Sequence, residues 1–240
     1  TAGRFRREAS AVIDNLKSKN KIPLLVGGTG LYFDALIEGL SDIPSVSTSI
    51  RESVIDRWLK NGQPAMYELL SLVDSVYAKK IHPNDKQRTL RALEIFYETK
   101  KPFSSFFISK KGYESDIKYI KIGINIDRET LYKRIDERVY KMVDMGLVSE
   151  VKMLLEMGYS ERSPGLNTIG YKEIVSYLKD EISLDVAIKL IQKNSRHYAK
   201  RQLTWFRRTD NVTWFENSED DNIVRFLLKS GVNFDSCFNS

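Results

Sequence analysis

Ile22-Pro23-Leu24-Leu25-Val26-Gly27-Gly28-Thr29-Gly30 (IPLLVGGTG, residues 22–30) decides the reading of the fold. Ile22 to Val26 is a short apolar run bounded by Lys21 and a glycine cluster, the pattern of a strand buried on both faces. Gly27 to Gly30 then turns the chain into a predicted helix over Leu31 to Glu38, which Gly39 stops. Ahead of the strand, Ala2 to Leu16 repeats at helical spacing, with Phe5, Ala9, Val12 and Leu16 on one side. Helix, buried strand, glycine turn and helix in that order predict an α/β domain with a parallel sheet.

Downstream, Ser41 to Ser49 is polar, carries Pro44 and reads as a linker. The pattern then becomes helical. Ile50, Val54 and Trp58 mark one helix, which Gly62 stops, and Pro64 suits the first turn of a second, with Met66, Leu69, Leu70 and Val73 inward. A third helix is predicted over Asp85 to Thr99, with Asn84 as its cap and Gln87 completing a capping box. Tyr119 to Ile126 alternates as a strand does, with Ile120, Ile122, Ile124 and Ile126 on one face. Helices follow over 129–144, 148–157, 170–179 and 184–205. The predicted organisation is an α/β core over 1–45 and 113–240, interrupted by a helical insertion over 46–112.

Composition narrows the classes. The 240 residues are 42% hydrophobic and 29% charged, ordinary for a globular chain, and no run of eighteen apolar residues suggests a membrane span. The single cysteine, Cys237, excludes an internal disulfide and a multi-cysteine zinc site, and a reducing, cytoplasmic setting is expected. Thr1 opens the chain inside a periodic element, so the chain is expected to be a fragment, with a targeting segment upstream left open. The net charge is +6, and its distribution matters more than its size.

Four constellations carry candidate chemistry. The glycine turn presents backbone N–H groups to an anion, admits another backbone closely, or is a plain tight turn; it lacks the Gly-Lys-Ser/Thr ending of a P-loop. Gln87, Arg88 and Arg91 share a helix face and suit base edges and phosphates, or form a solvated face with Glu94 as salt-bridge partner. Arg134, Arg138 and Lys141 flank a stripe of Leu131, Ile135, Val139 and Met142; Arg138 there reaches into a cleft or pairs with Asp136 or Glu137. The strongest is Lys193 to Arg208, KNSRHYAKRQLTWFRR. From Lys193 to Thr209 it holds six Lys or Arg and no acid. Lys193, Arg196, Lys200 and Arg207 recur at helical spacing, and Tyr198, Trp205 and Phe206 interleave rings on which unpaired bases stack. That segment predicts nucleic-acid binding. His82, before Pro83, reads as a turn residue, and neither it nor His197 is taken as a general base.

Together FRREA, IPLLVGGTGLYFDALIEGL, IHPNDKQRTLRALEIF, RIDERVYKMVDMGLVSEV, NTIGYKEIVSYL and YAKRQLTWFRR, in this order and spacing from Phe5 to Trp214, resemble the tRNA dimethylallyltransferase (tRNA isopentenyltransferase) family. The resemblance implies a P-loop-type α/β core with a helical insertion that helps clasp the tRNA anticodon stem-loop. It implies transfer of a dimethylallyl group from dimethylallyl diphosphate to N6 of the adenosine next to the anticodon, with Mg2+ at the leaving diphosphate and the target base out of its stack.

By position, the resemblance makes Arg138 the arginine that contacts the diphosphate, and sets Thr29 and Gly30 beside the target nucleotide. It assigns tRNA contacts to Arg51; to Gln87, Arg88, Thr89, Leu90 and Arg91; and to Asn167, Thr168, Ile169, Gly170, Tyr171 and Lys172. It also assigns them to Lys200, Arg201, Gln202, Leu203, Thr204, Trp205, Phe206 and Arg207. The family's P-loop and its general-base aspartate lie N-terminal to FRREA and are not in this sequence, so residues 1–240 alone are expected to be inactive; the protein is expected to be a monomer. Two alternatives stand beside this reading: an adenylate dimethylallyltransferase acting on free AMP, and a non-catalytic RNA-binding module.

Overall fold

Thr1 caps the first helix: its hydroxyl accepts the Arg4 N–H at 3.2 Å, and α1 runs Ala2–Ser18. A computed structural model describes residues 1–41, 43–107, 117–161 and 163–232 of the chain. They divide into two units, Thr1–Asn20 with Leu31–Lys118, and Lys21–Gly30 with Tyr119–Ser240. Cys237 and the last residues assigned to the insertion, 108–112, lie outside the described residues.

The first unit is helical. Phe5 of α1 stacks on Tyr32 at 4.5 Å between ring centroids, which sets the rotation of the helix. Ile13 is therefore the buried residue, while Val12 is 58% exposed. The inward stripe falls one position beyond the predicted Val12. After α2 (Gly30–Ile37), α3 (Thr48–Val73) is two helical limbs joined at Gly62, whose φ of 77° and ψ of 173° break the helix, with Pro64 opening the second limb. A positive φ of that kind is open to glycine and strained for a residue with a Cβ. The short α4 (Ser75–Ala78) and α5 (Lys86–Thr99) follow, then a 3-10 turn at Phe103–Phe106.

The cap of α5 is Asp85, whose carboxylate accepts the Arg88 N–H at 3.0 Å. Asn84 was the predicted cap, but its own N–H donates to His82 Nδ1 at 3.1 Å, so the helix begins one residue later and no Asn84–Gln87 box forms. Val54, Met66, Leu70, Leu93, Ile95 and Phe103 make the core of this unit. Each such side chain, once buried, stabilises the unit by roughly 1.5–3 kcal/mol. Buried Asp74 ties its far end together, accepting from Tyr77 N, Ser104 N and Ser104 Oγ at 3.0, 2.7 and 2.7 Å.

The second unit is α/β. Strand β1 (Lys121–Asn125) pairs in parallel with β2 (Val212–Glu216), Gly123 opposite Trp214. Between them the chain makes α6 (Arg128–Asp144), α7 (Leu147–Glu156), α8 (Tyr171–Leu178) and α9 (Leu184–Phe206); α10 (Asp220–Lys229) follows β2. This helical crossover is how two parallel strands must be joined. Val139, Val151, Leu166, Ile174, Ala187 and Ile191 form the core beneath the helices.

The fold class is the expected one, but Ile22 to Val26 is not a strand buried on both faces. It pairs with neither β1 nor β2, and Leu24 and Val26 are 83% and 87% exposed. Burial of such a run needs a hydrogen-bonded neighbour on each edge and cover on each face. Among the described residues the sheet has only two strands, and they supply neither.

Candidate nucleic-acid interface

The helix that carries the cations is built in two halves. Ser183 caps α9 by accepting the Val186 N–H at 3.3 Å, and Asp185 in the first turn suits the positive end of the helix dipole. Ala187, Ile188, Ile191 and Gln192 then bury the first half against the core. Beyond them Lys193, Lys200, Arg201, Arg207 and Arg208 are exposed, with Thr204 between. Tyr198 and Trp205 are 42% and 41% exposed, and the Arg201 guanidinium lies 5.7 Å from the Tyr198 ring centre.

The predicted stripe loses one member. Arg196 Nη1 meets Asp136 Oδ1 of α6 at 2.5 Å, and its guanidinium lies 5.7 Å from the Tyr132 ring centre. The sequence of this segment holds no acid; the compensating one comes from another helix. Arg196 is thus a structural cation. Lys193, Lys200 and Arg207 make no ion pair among the described residues and keep the stripe.

Asp136 is accordingly not the partner of Arg138. Arg138 is exposed and makes no hydrogen bond or ion pair among the described residues. Arg134 and Lys141, four residues before it and three after, are exposed as well, so α6 presents a cationic ridge while Val139 is buried.

Two other segments assigned from sequence meet α9. The Gln202 amide donates to the Gly28 carbonyl at 2.7 Å, and the Trp205 indole covers Gly30. In the loop before α8, Thr168 Oγ1 donates to Gly165 O at 2.7 Å, and buried Glu173 accepts the Gly170 N–H at 2.8 Å. The other oxygen of Glu173 accepts from Asn194 of α9 at 2.7 Å. Asn167, Thr168 and Lys172 are exposed, Ile169 and Tyr171 half-buried, and Gly170 buried. The Tyr171 hydroxyl donates to Glu150 at 2.6 Å, which raises its pKa, because losing the proton would set a phenolate beside that carboxylate. On α9 itself, Leu203 and Phe206 are half-buried, and the Thr204 hydroxyl donates to Lys200 O at 2.8 Å.

In the first unit, Gln87 and Arg88 are exposed on α5, and Arg88 sits 3.5 Å from Asp85. Thr89 and Leu90 are not at the surface. Thr89 is fully buried and accepts from Gln63 at 3.2 Å, and Leu90 belongs to the hydrophobic core. Both lie on the inward side of a helix whose outward side carries Gln87 and Arg88, so their side chains face the core of the unit. Arg91 donates to buried Glu94 at 3.2 Å, and Arg51 Nε stands 3.9 Å from the other oxygen of the same carboxylate. The salt-bridge reading of this face is the one the geometry supports for Arg91.

Sequence reasoning named Asp136 only as a partner for Arg138, and missed Glu173 and Asn194. Asp136 and Asn194 act on residues of other helices and leave no local mark, whereas Glu173 with the Gly170 cap and Glu94 with Arg91, each three residues apart, had a visible signal.

Residues 1–209 match the family model described as IPP transferase. The chain is similar to the tRNA dimethylallyltransferase of Geobacter sulfurreducens, 44% identical over 230 residues that span 95% of this chain and 74% of the relative. It is also similar to the tRNA dimethylallyltransferase 2 of Geotalea uraniireducens, 43% identical over 221 residues, 91% of this chain and 71% of the relative. Among solved structures it resembles the full-length tRNA isopentenylpyrophosphate transferase of Bacillus halodurans, with 35% identity, a TM-score of 0.61, and 96% and 73% of the two chains covered. It also resembles a eukaryotic dimethylallyltransferase acting on tRNA, with 26% identity, a TM-score of 0.70, and 96% and 61% covered. A family match over 209 of 240 residues, on a chain whose α9 gathers the glycine turn and the cations, means that this protein belongs to the IPP transferase family.

Proposed function

We propose that the chain serves the transfer of a dimethylallyl group from dimethylallyl diphosphate to N6 of an adenosine next to the anticodon of tRNA. The family match over residues 1–209 carries this reading, and the unpaired cations of α9 support it. In the reaction the C1–O bond of the allyl diphosphate breaks, its electron pair leaves with diphosphate, and the N6–C1 bond forms as N6 gives up a proton. The exocyclic amine is a weak nucleophile, so stabilising the departing charge and removing the proton both matter.

Arg138 is assigned to the departing diphosphate, supported by its exposed, unpaired guanidinium, whose planar fork suits phosphate oxygens. The proton acceptor is assigned to none of this chain's residues. Lys200, Arg201 and Arg207 are assigned to phosphates of the anticodon stem-loop, with Thr29 and Gly30 beside the target base. Arg51, Gln87, Arg88 and Arg91, together with Asn167, Thr168 and Lys172, are assigned to further RNA contacts, and residues 46–112 to clasping the stem-loop as an insertion in the core. The protein acts as a monomer in the cytoplasm, where its RNA is. No helix among the described residues is long and apolar enough to cross a membrane.

Mg2+ takes one or two carboxylates plus substrate phosphates in sites of this kind. Among the described residues no three His, Cys, Asp or Glu side chains converge to hold a metal, so no residue of this chain is assigned as its ligand, and no step here runs through one.

The test is direct. The complete protein should bind an anticodon stem-loop at low salt and move label from dimethylallyl diphosphate to it. Binding of AMP with no binding of the stem-loop would overturn this reading.

A further inference from the structure

Gly30 is a glycine for an unexpected reason, and Gly28 lies against the same helix. Neither has a positive φ, so no left-handed turn requires them. Both lie against α9. An ideal Cβ on Gly30 would stand 2.7 Å from Trp205 Cγ, closer than real side chains approach, whereas one on Gly28 would meet only the amide end of the flexible Gln202 side chain, with Cδ at 3.0 Å. Gln202 and Trp205 are three residues apart and share one helix face. The amide of the first takes the Gly28 carbonyl at 2.7 Å, and the ring of the second covers Gly30. The turn is held at both ends, with Thr29 between.

The same stretch of helix carries Lys200, Arg201 and Arg207, all exposed. One face of α9 thus grips a backbone turn while its cations stand free of it. We infer that Gln202 and Trp205 are positioning residues, which set the Gly28-Thr29-Gly30 turn relative to an RNA strand seated on those cations, and that they are not themselves RNA-binding residues. This rests on the function proposed above. Any shift of the RNA-bearing helix moves the turn with it, because a hydrogen bond and a ring contact join them. A misplacement near 1 Å at a reacting centre costs about a hundredfold in rate.

The test uses the complete protein, an anticodon stem-loop and one carrying 2-aminopurine at the target adenine, whose fluorescence rises on unstacking. Gln202→Ala and Trp205→Ala should slow transfer at saturating RNA by about tenfold or more and lower the 2-aminopurine signal of the complex, while Kd stays within about threefold. Trp205→Phe, which keeps a ring over Gly30, should recover most of the rate. Gly30→Ala should slow transfer in the parent and less so beside Trp205→Leu, which vacates the space. Melting curves accompany each variant, and where Trp205→Ala does not fold, the Trp205→Phe and Gly30→Ala results decide. Weakened Kd with an unchanged rate at saturation would make the two residues RNA contacts and overturn the inference, as would unchanged rates throughout. Failure of the parent protein to bind the stem-loop would instead refute the proposed function.

Discussion

Arg196 of α9 and Asp136 of α6 meet at 2.5 Å, sixty residues apart in the chain. Their side chains are 29% and 37% exposed, so water still screens the pair. The contact pins the cationic helix to its neighbour and withdraws one charge from the surface stripe. Cations that sequence alone presents as equivalent therefore divide into one that holds α9 and several that are available to a polyanion.

Arg196→Ala and Lys200→Ala should consequently differ in kind. Loss of Arg196 should lower stability by about 1 kcal/mol or less, given the pair's exposure, with the salt dependence of stem-loop binding unchanged. Loss of Lys200 should leave melting unchanged and reduce the slope of log K against log salt by about one. Salt titrations with thermal melts of both variants separate the two roles.

Arg138→Ala should slow dimethylallyl transfer by about a hundredfold or more, the usual effect of removing one donor at a developing anion. Stem-loop affinity should change by less than about threefold, because the residue is assigned to the leaving diphosphate rather than to RNA. Single-turnover rates beside equilibrium binding check this. Equal losses in both would move Arg138 into the RNA interface.

Glu94→Gln gives a result whose sign is informative. Glu94 is 8% exposed and faces both Arg91 and Arg51. Removing a negative charge should raise affinity for a polyanion if only net charge matters. If the carboxylate orders the two guanidinium groups, affinity should fall instead, and melting should drop with a loss of about 1–3 kcal/mol as two cations lose their shared partner. We expect the fall.

Asp127 caps α6, and its carboxyl sits below the usual aspartate range because the Thr130 hydroxyl and backbone N–H both stabilise its charged form. A depressed folded pKa contributes stability that is present above the ordinary value of about 4 and is lost as pH falls through the lower folded value. Asp127→Asn keeps a competent cap and removes the titration, so the acid side of a stability-pH curve should become shallower, with little change in shape above about pH 5. Chemical denaturation between neutral and acid pH would show it.

Gly62→Ala should destabilise the first unit by about 1 kcal/mol, since its φ of 77° is open to glycine and costly for alanine. Urea denaturation of the parent and variant measures this. An unchanged midpoint would mean that the joint in α3 relaxes freely.

Helices were legible because their signal is local. Spacing placed α6, α7, α8 and α9 within a residue or two of where they lie, and Gly62 marked the joint within α3. The cation-rich, acid-free stretch from Lys193 to Thr209 was visible without any fold, and the order of six motifs named the family that residues 1–209 match. Residues whose partners lie on the same turn, such as Glu94 with Arg91, were within reach of the same reasoning.

What tertiary structure alone decided is which of those residues are free. Arg196 was withdrawn by an acid sixty positions away, and Gly30 owes its missing side chain to the Trp205 ring of a helix that follows it by more than 170 residues. Thr89 and Leu90 went to the core while Gln87 and Arg88 stayed outside, and an apolar run that reads as a buried strand lies exposed at Leu24 and Val26. Periodicity reports the twist of one element, whereas burial and charge compensation depend on what that element packs against. A contact between distant residues leaves no mark on the local spacing of either.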